Sequence, residues 1–313
     1  LYKWPGPPPI PKENPMTPQK IELGKKLFFD PRLSKANKIS CNSCHNVLKA
    51  GDDGLPRSPG HDGKLGGRNS PTVFNSAYWS VQFWDGRAPT LEEQAKGPLI
   101  NQVEMGMADH NLVVDIVSTV PAYIAEFEKA FGPGKLTIGK LVQAIAAYER
   151  TLVTPDSPYD RFVAGDKSAL SPAAKRGWSR FAQVGCTTCH SGPMFNGPTL
   201  PVGTGFYQKF PMFPDPVLEK KYRLTEDTGR HVETKNDADR QMWRVPSLRN
   251  VALTAPYLHT GTVTSLDEAV VIMAKTQLSK TLKPDEVADL VAFLKSLTGK
   301  APKQTPPKLP PGR

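Results

Sequence analysis

Several absences narrow the field first. No apolar run approaches the roughly 18 residues that a membrane-spanning helix needs. The formal net charge is +10, yet no long basic run occurs. Nucleic-acid binding calls for a clustered basic stripe with interleaved aromatics, so that class is set aside; a diffuse surplus suits the steering of an acidic protein partner. The start, LYKWPGPPPIPKENP, has neither a basic n-region nor an apolar h-region. A secretory leader is therefore expected to have been removed already. Signals for β-strands are weak throughout. Cysteine is scarce, with four in 313 residues.

Proline is abundant by contrast: 32 residues, crowded into PGPPPIPKENP at one end and APKQTPPKLPPGR at the other. Such ends are expected to be extended and to lie on the surface or along a neighbouring subunit. Between them, 38% hydrophobic residues are enough for a globular core, and the length suggests two domains.

All four cysteines fall in one pattern used twice, CNSCH at 41–45 and CTTCH at 186–190. A Cys-x-x-Cys pair alone is open to three readings: a redox dithiol, half a zinc site, or a haem attachment point. The following histidine separates them. Two thioethers hold the haem while the adjacent histidine ligates the iron, so all three residues must share one short turn. Paired zinc knuckles stand about 15–20 residues apart, far closer than Cys44 and Cys186. Thioredoxin-like chemistry gives no role to His45 or His190. The pattern therefore predicts two covalent c-type haems on Cys41, Cys44, Cys186 and Cys189, with His45 and His190 as proximal ligands. Haem attachment of this kind takes place outside the cytoplasm, so a bacterial periplasm is expected.

The motif is part of a wider repeat. Thr17-Pro18 and Ser171-Pro172 each pair a hydroxyl N-cap with proline at the first helical position. Pro71–Gln94 aligns without a gap on Pro246–Ala269, with proline, asparagine, alanine, glycine, leucine and glutamate recurring in register. Each half then closes with an amphipathic helix: Ile138, Leu141, Val142, Ile145 and Tyr148 in the first, and Val287, Leu290, Val291, Leu294 and Leu297 in the second, with Gly299 as a C-cap. The expected fold is mainly α, with two tandem cytochrome c-like domains, long loops and little β structure. The expected limits are 1–16 for a proline-rich segment, 17–165 and 166–300 for the domains, and 301–313 for the tail.

The two haems need not behave alike. An iron with one protein ligand is open to substrate, whereas a second ligand makes it an electron-transfer site, and methionine there raises the potential. In the first half, His61 stands in GLPRSPGHDGKLGGRN, a loop mobile by composition; it either binds iron or sits in water. In the second half Met212, Met242 and Met273 compete, Met194 being too near His190 to reach the other haem face. Met273 lies in a helical pattern that core packing would also explain. Glu104, in GPLINQVEMGM, is either a solvated carboxylate or a general acid–base beside an open haem. Gln94 can assist by hydrogen bonding. Trp84 is either core or an aromatic stepping point between the irons.

These residues resemble the bacterial di-haem cytochrome c peroxidases, whose relatives include MauG-type enzymes. LGKKLFFDPRLS, CNSCHN, GRNSPTVFNSA, QFWDGRA, LEEQAKGP, NQVEMGM, RVPSLRNVALTAPYLHTG and SLDEAVVIM match in order and spacing across nearly the whole chain. The resemblance implies a peroxidatic haem on His45 and a high-potential, electron-receiving haem on His190. It implies His61 as a detachable sixth ligand, Met273 as a permanent one, Glu104 and Gln94 as the catalytic pair, and Trp84 between the haems. It further implies calcium held by the Asn69 side chain and the Thr254 and Pro256 carbonyls, an oxygen-only set that suits Ca²⁺. A homodimer, hydrogen peroxide as substrate and a small periplasmic donor (a cytochrome c or a cupredoxin) complete the expectation. MauG-type enzymes, which oxidise a protein substrate, carry tyrosine where this chain has Met273. A non-catalytic di-haem electron carrier is the remaining alternative.

Overall fold

Two hydroxyl caps open the two halves. Thr17 Oγ1 accepts from Lys20 N at 3.2 Å ahead of the helix Pro18–Phe29, and Ser171 Oγ accepts from Ala174 N at 3.1 Å ahead of Pro172–Val184. In both, proline occupies the first turn, where its missing N–H leaves nothing unsatisfied. The computed structural model describes residues 1–312, among which twelve α-helices and two three-residue strands occur. The strands, Tyr207–Lys209 and Met242–Arg244, pair antiparallel with Tyr207 opposite Arg244. Mainly helical structure with little strand is thus what the sequence led one to expect.

In each half the opening helix packs against the closing one, Ile138–Glu149 in the first and Pro284–Lys295 in the second. Glycine permits the close approach. A Cβ on Gly24 would run into the backbone of Ala144, and one on Gly177 into the backbone of Asp289. The periodic residues of the closing helices are buried apart from the half-buried Ile138, with Leu141, Val142 and Ile145 exposed to 1% or less. Each such side chain contributes about 1.5–3 kcal/mol of transfer free energy. One hydrophobic core runs from Leu23 to Leu152 and a second from Tyr159 to Leu297, the latter built on Tyr159, Phe181, Phe195 and Phe293.

The recurring asparagines join the halves. Asn75 and Asn250 both adopt left-handed backbone, with φ of 64° and 61°. Asn75 Oδ1 accepts from Thr154 N, and Asn250 Oδ1 accepts from Gly299 N, each at 2.9 Å. Both side-chain amides donate to one atom, Thr154 Oγ1, at 2.7 Å. Gly299 therefore stands in the second half where Thr154 stands in the first. It does not cap the closing helix, which ends at Lys295 with Ser296 as its C-cap. Its missing side chain has another reason, because a Cβ there would strike the Thr154 carbonyl.

The proline-rich ends lie along this chain's own surface. Tyr2 packs edge-on against Phe195, with ring centres 5.4 Å apart, while Trp4 packs against Tyr78, also at 5.4 Å. Tyr78 Oη donates to the Gly6 carbonyl at 2.6 Å. The first residues thus touch both halves. At the other end, Lys300 N donates to the Pro155 carbonyl and Tyr148 Oη to Gln304 Oε1.

Candidate functional site

Both Cys-x-x-Cys-His motifs fold as one tight turn, which places their three functional residues together. Cys41–Cys44 is a single helical turn, and His45 N donates to the Cys41 carbonyl at 2.9 Å. Cys186–Thr188 is a 3₁₀ turn, and His190 N donates to the Cys186 carbonyl at 2.9 Å. The imidazoles are then pinned in the same way. His45 Nδ1 lies 2.9 Å from the Pro71 carbonyl, and His190 Nδ1 lies 2.8 Å from that of Phe195. With Nδ1 as the donor, Nε2 carries the lone pair, the arrangement found behind metal-ligating histidines. Burial holds both rings below the usual histidine range, and the carbonyls oppose this. Neutral imidazole is the ligating form.

The four cysteines are unpaired. Burial pushes the Cys44 and Cys186 thiols up to about 11, and raises Cys41 and Cys189 as well. Reactive redox dithiols need the opposite shift. Nor do three His, Cys, Asp or Glu side chains converge as a metal site among the described residues. Neither the dithiol nor the zinc reading finds support, whereas thioether formation needs only sulfur atoms beside the correct histidine.

A cavity of about 250 Å³ opens beside the second motif. Cys186, Cys189 and His190 line it, and so does Met273 from the helix Leu266–Leu278. The other candidate methionines lie elsewhere: Met212 is exposed, Met242 sits in the strand pair, and Met194 is packed in the core. Leu266, Leu290 and Leu294 supply apolar wall. An apolar cavity with histidine and methionine among its lining residues fits a haem with those axial ligands.

In the first half the structure brings His61 and Glu104 together. His61 begins a 3₁₀ turn, and its N–H donates to the Glu104 carbonyl at 2.7 Å. Glycines fix the approach: a Cβ on Gly60 would meet Val103 and Glu104 backbone, and one on Gly106, with φ of +74°, would meet the His61 ring. His61 is only 8% exposed, so this stretch is held here rather than loose. Its Nδ1 is buried without a partner, and its Nε2 lies 3.2 Å from Asp62. Glu104 Oε1 accepts from Asn101 Nδ2 at 3.1 Å. Burial raises the Glu104 carboxyl above its ordinary range, with the Arg87 charge working against it. Gln94 is half-buried on the neighbouring helix Leu91–Ile100.

Trp84 and Asn69, from the first half, line the cavity of the second. Trp84 Nε1 donates to the Asn69 carbonyl at 2.8 Å, and its own carbonyl accepts from Arg244 N at 2.9 Å. Asn69 N donates to the His259 carbonyl, and Asn69 Nδ2 to that of Leu55, each at 2.9 Å. That leaves Asn69 Oδ1 as the free atom of the amide, the one a hard cation would take. Thr254 and Pro256 line the same cavity, the latter after a cis Ala255–Pro256 bond. Sequence reasoning passed over Trp79, Trp243, Arg244 and His259, which complete this wall. Arginine after tryptophan gave no local sign of burial, because the contacts that bury it come from residues 79–84.

A profile of the di-haem cytochrome c peroxidases matches residues 18–168. The chain is 46% identical to the cytochrome c551 peroxidase of Pseudomonas aeruginosa over 310 residues, covering 96% of this chain and 87% of that one. It is 44% identical to the enzyme of the same name from Nitrosomonas europaea, covering 97% and 87%. Among solved structures it resembles a MauG-like protein associated with microbial copper homeostasis, with a TM-score of 0.81 and 29% identity over 96% of this chain and 95% of that one. The paired CxxCH turns and these relationships place the chain in the di-haem cytochrome c peroxidase family.

Proposed function

We propose that this protein reduces hydrogen peroxide to water with electrons from a small periplasmic redox protein. One observation supports the reading: the two CxxCH turns are built alike, yet the first half joins His61 to Glu104, whose charge acts on Cys44, whereas Met273 lines the cavity of the second. Residues 17–165 and 166–300 form the two haem domains, flanked by the proline-rich 1–16 and 301–313. When bound, the haems supply iron centres that accept electrons one at a time and cleave the O–O bond.

The chain's own residues prepare that chemistry. Cys41, Cys44 and His45 would hold the first haem. His61 would gate access to it, its loop having a bound and a withdrawn state. Movement between those states would be a population shift between two loop arrangements, biased by the redox state of the protein. Glu104 takes a proton from one peroxide oxygen and returns it to the departing one, with Gln94 holding the substrate by a hydrogen bond. Two electrons and two protons then balance one peroxide against two waters. Cys186, Cys189, His190 and Met273 would hold the second haem, with Trp84 on the wall between the two halves. Asn69 Oδ1 with the Thr254 and Pro256 carbonyls takes calcium, which ties the Trp84 wall to the second half. The working unit is a periplasmic homodimer.

The test is turnover of the purified di-haem protein with peroxide and a pre-reduced small cytochrome or cupredoxin. Donor oxidation in a two-to-one ratio with peroxide consumed is expected. The structural likeness to a MauG-like protein keeps one rival in view: oxidation of a protein partner with no demand for a soluble donor would favour that reading.

A further inference from the structure

Arg244 is a buried cation without an anion. It ends the strand Met242–Arg244 and is 4% exposed. Its Nε donates to the Phe83 carbonyl at 2.9 Å, its Nη1 makes one long contact of 3.5 Å to the Val245 carbonyl, and its Nη2 has no acceptor among the described residues. The nearby carboxylate of Asp85 is engaged by Arg68 at 2.5 Å and Arg87 at 2.8 Å. Arg244 is the one lysine or arginine lining the second cavity, and no aspartate or glutamate lines it. Burial accordingly pulls the guanidinium down to about 10. Leaving such a charge unpaired costs several kcal/mol, by order of magnitude.

Two further donors on the same wall have no acceptor at all. Trp79 and Trp243 also line the cavity, and the Nε1–H of each is buried without an acceptor. The Arg244 guanidinium lies over the Trp79 ring at 4.4 Å. On this wall Arg244 Nη2 and the two indole N–H groups lack acceptors and can only donate, while His259 Nε2, also without a partner, donates or accepts according to tautomer. The missing ligand is therefore an anion that accepts several N–H bonds, which describes a carboxylate. Haem brings two carboxylates, on the edge of its macrocycle opposite the vinyl positions that thioethers occupy. Arg244, Trp79 and Trp243 come from segments other than the one bearing Cys186 and Cys189.

We propose that Arg244, with the indole N–H groups of Trp79 and Trp243, binds the propionates of the haem at Cys186 and Cys189 and thereby sets that haem's potential. This rests on haem attachment at His190. Reduction adds an electron to the haem, so a fixed cation at its carboxylates favours the reduced form. Because Arg244 N also donates to the Trp84 carbonyl, the same residue ties the haem edge to the wall between the two halves.

The experiment is spectroelectrochemical titration of both haems in the intact enzyme, as wild type, Arg244→Gln, Arg244→Lys and Trp79→Phe. Arg244→Gln should move the reduction equilibrium of the second haem at least tenfold toward the oxidised form, about 59 mV for a one-electron couple. The first haem should keep its potential. Arg244→Lys should recover most of the shift, and Trp79→Phe should move it the same way by less. A merely structural role, through the Phe83 carbonyl, would lower thermal stability and leave the potential alone. An unmoved second potential in Arg244→Gln, or equal shifts at both haems, overturns the proposal; if that variant does not fold, an unmoved potential in Trp79→Phe does so. The haem-to-protein ratio separates this failure from the wider one, since haem bound only at Cys41 and Cys44 would overturn the reading of the second site and the proposal with it.

Discussion

Glu149 ends the first closing helix only 6% exposed, and its Oε2 has no hydrogen-bond partner. Burial lifts its carboxyl from the ordinary glutamate range to about 8; the Arg150 charge opposes this and Glu92 adds to it. Arg150 is itself paired with Glu92 at 2.8 Å, so it neutralises Glu149 only in part. The folded chain therefore keeps this proton up to about pH 8, whereas the unfolded chain releases it near the ordinary glutamate value. Across that window the unfolded state binds fewer protons, so stability falls as pH rises and levels off above the folded value. That displacement corresponds to a ceiling of about 5 kcal/mol; relaxation and water entry reduce this to about 1–3 kcal/mol. Glu149→Gln removes the titration while keeping the shape. In urea unfolding followed by circular dichroism and tryptophan fluorescence, the variant should match the parent near about pH 5 and exceed it by that margin above about pH 8. Parallel pH curves for the two proteins would refute the reasoning and show that Glu149 is already ionised and paired in the folded state.

Glu104→Gln should lose about 10²–10⁴-fold in peroxide turnover while retaining both haems; because the parent carboxyl is raised, the parent should also lose activity on the acid side at a pH above the usual glutamate range, a limb the variant lacks. His61→Gly, suggested by the buried ring with its unpartnered Nδ1, should show a high-spin first haem and activity without pre-reduction, and an unchanged resting spectrum would rule out His61 as a ligand. Gly24→Ala and Gly177→Ala each place a methyl against a neighbouring helix backbone, and thermal unfolding should show a loss of about 1–3 kcal/mol for each.

Local signals carried much of the architecture. The Thr17 and Ser171 caps, the two closing helices and the turns at Cys41 and Cys186 are governed by residues within a few positions, and they form where spacing places them. Met273 could not be separated from Met212 and Met242 by spacing, because reach across a cavity depends on how the helix Leu266–Leu278 docks. Composition alone makes the His61 loop look mobile. Gly60 within it and Gly106 beyond it instead let it close on residues 103–106, a contact of long sequence separation. Gly299 illustrates the same limit. A glycine after a helix suggests a cap, but here it marks the crossing with Thr154, visible only once Asn75 and Asn250 are seen to play equivalent parts. Arg244 was silent for a related reason, since its burial is a property of the wall it shares with Trp79 and Trp84.

The central claim is that two similar haem turns serve unequal roles, one gated and reactive, the other closed and electron-receiving. A stepwise reductive titration of the protein with calcium added to the buffer, watched by optical spectroscopy with peroxide turnover assayed at each step, tests it most directly. The account predicts that a high-spin haem appears at the one-electron stage and that turnover appears with it. Two haems that stay low-spin and inert to peroxide throughout would contradict it and leave a di-haem electron carrier in its place.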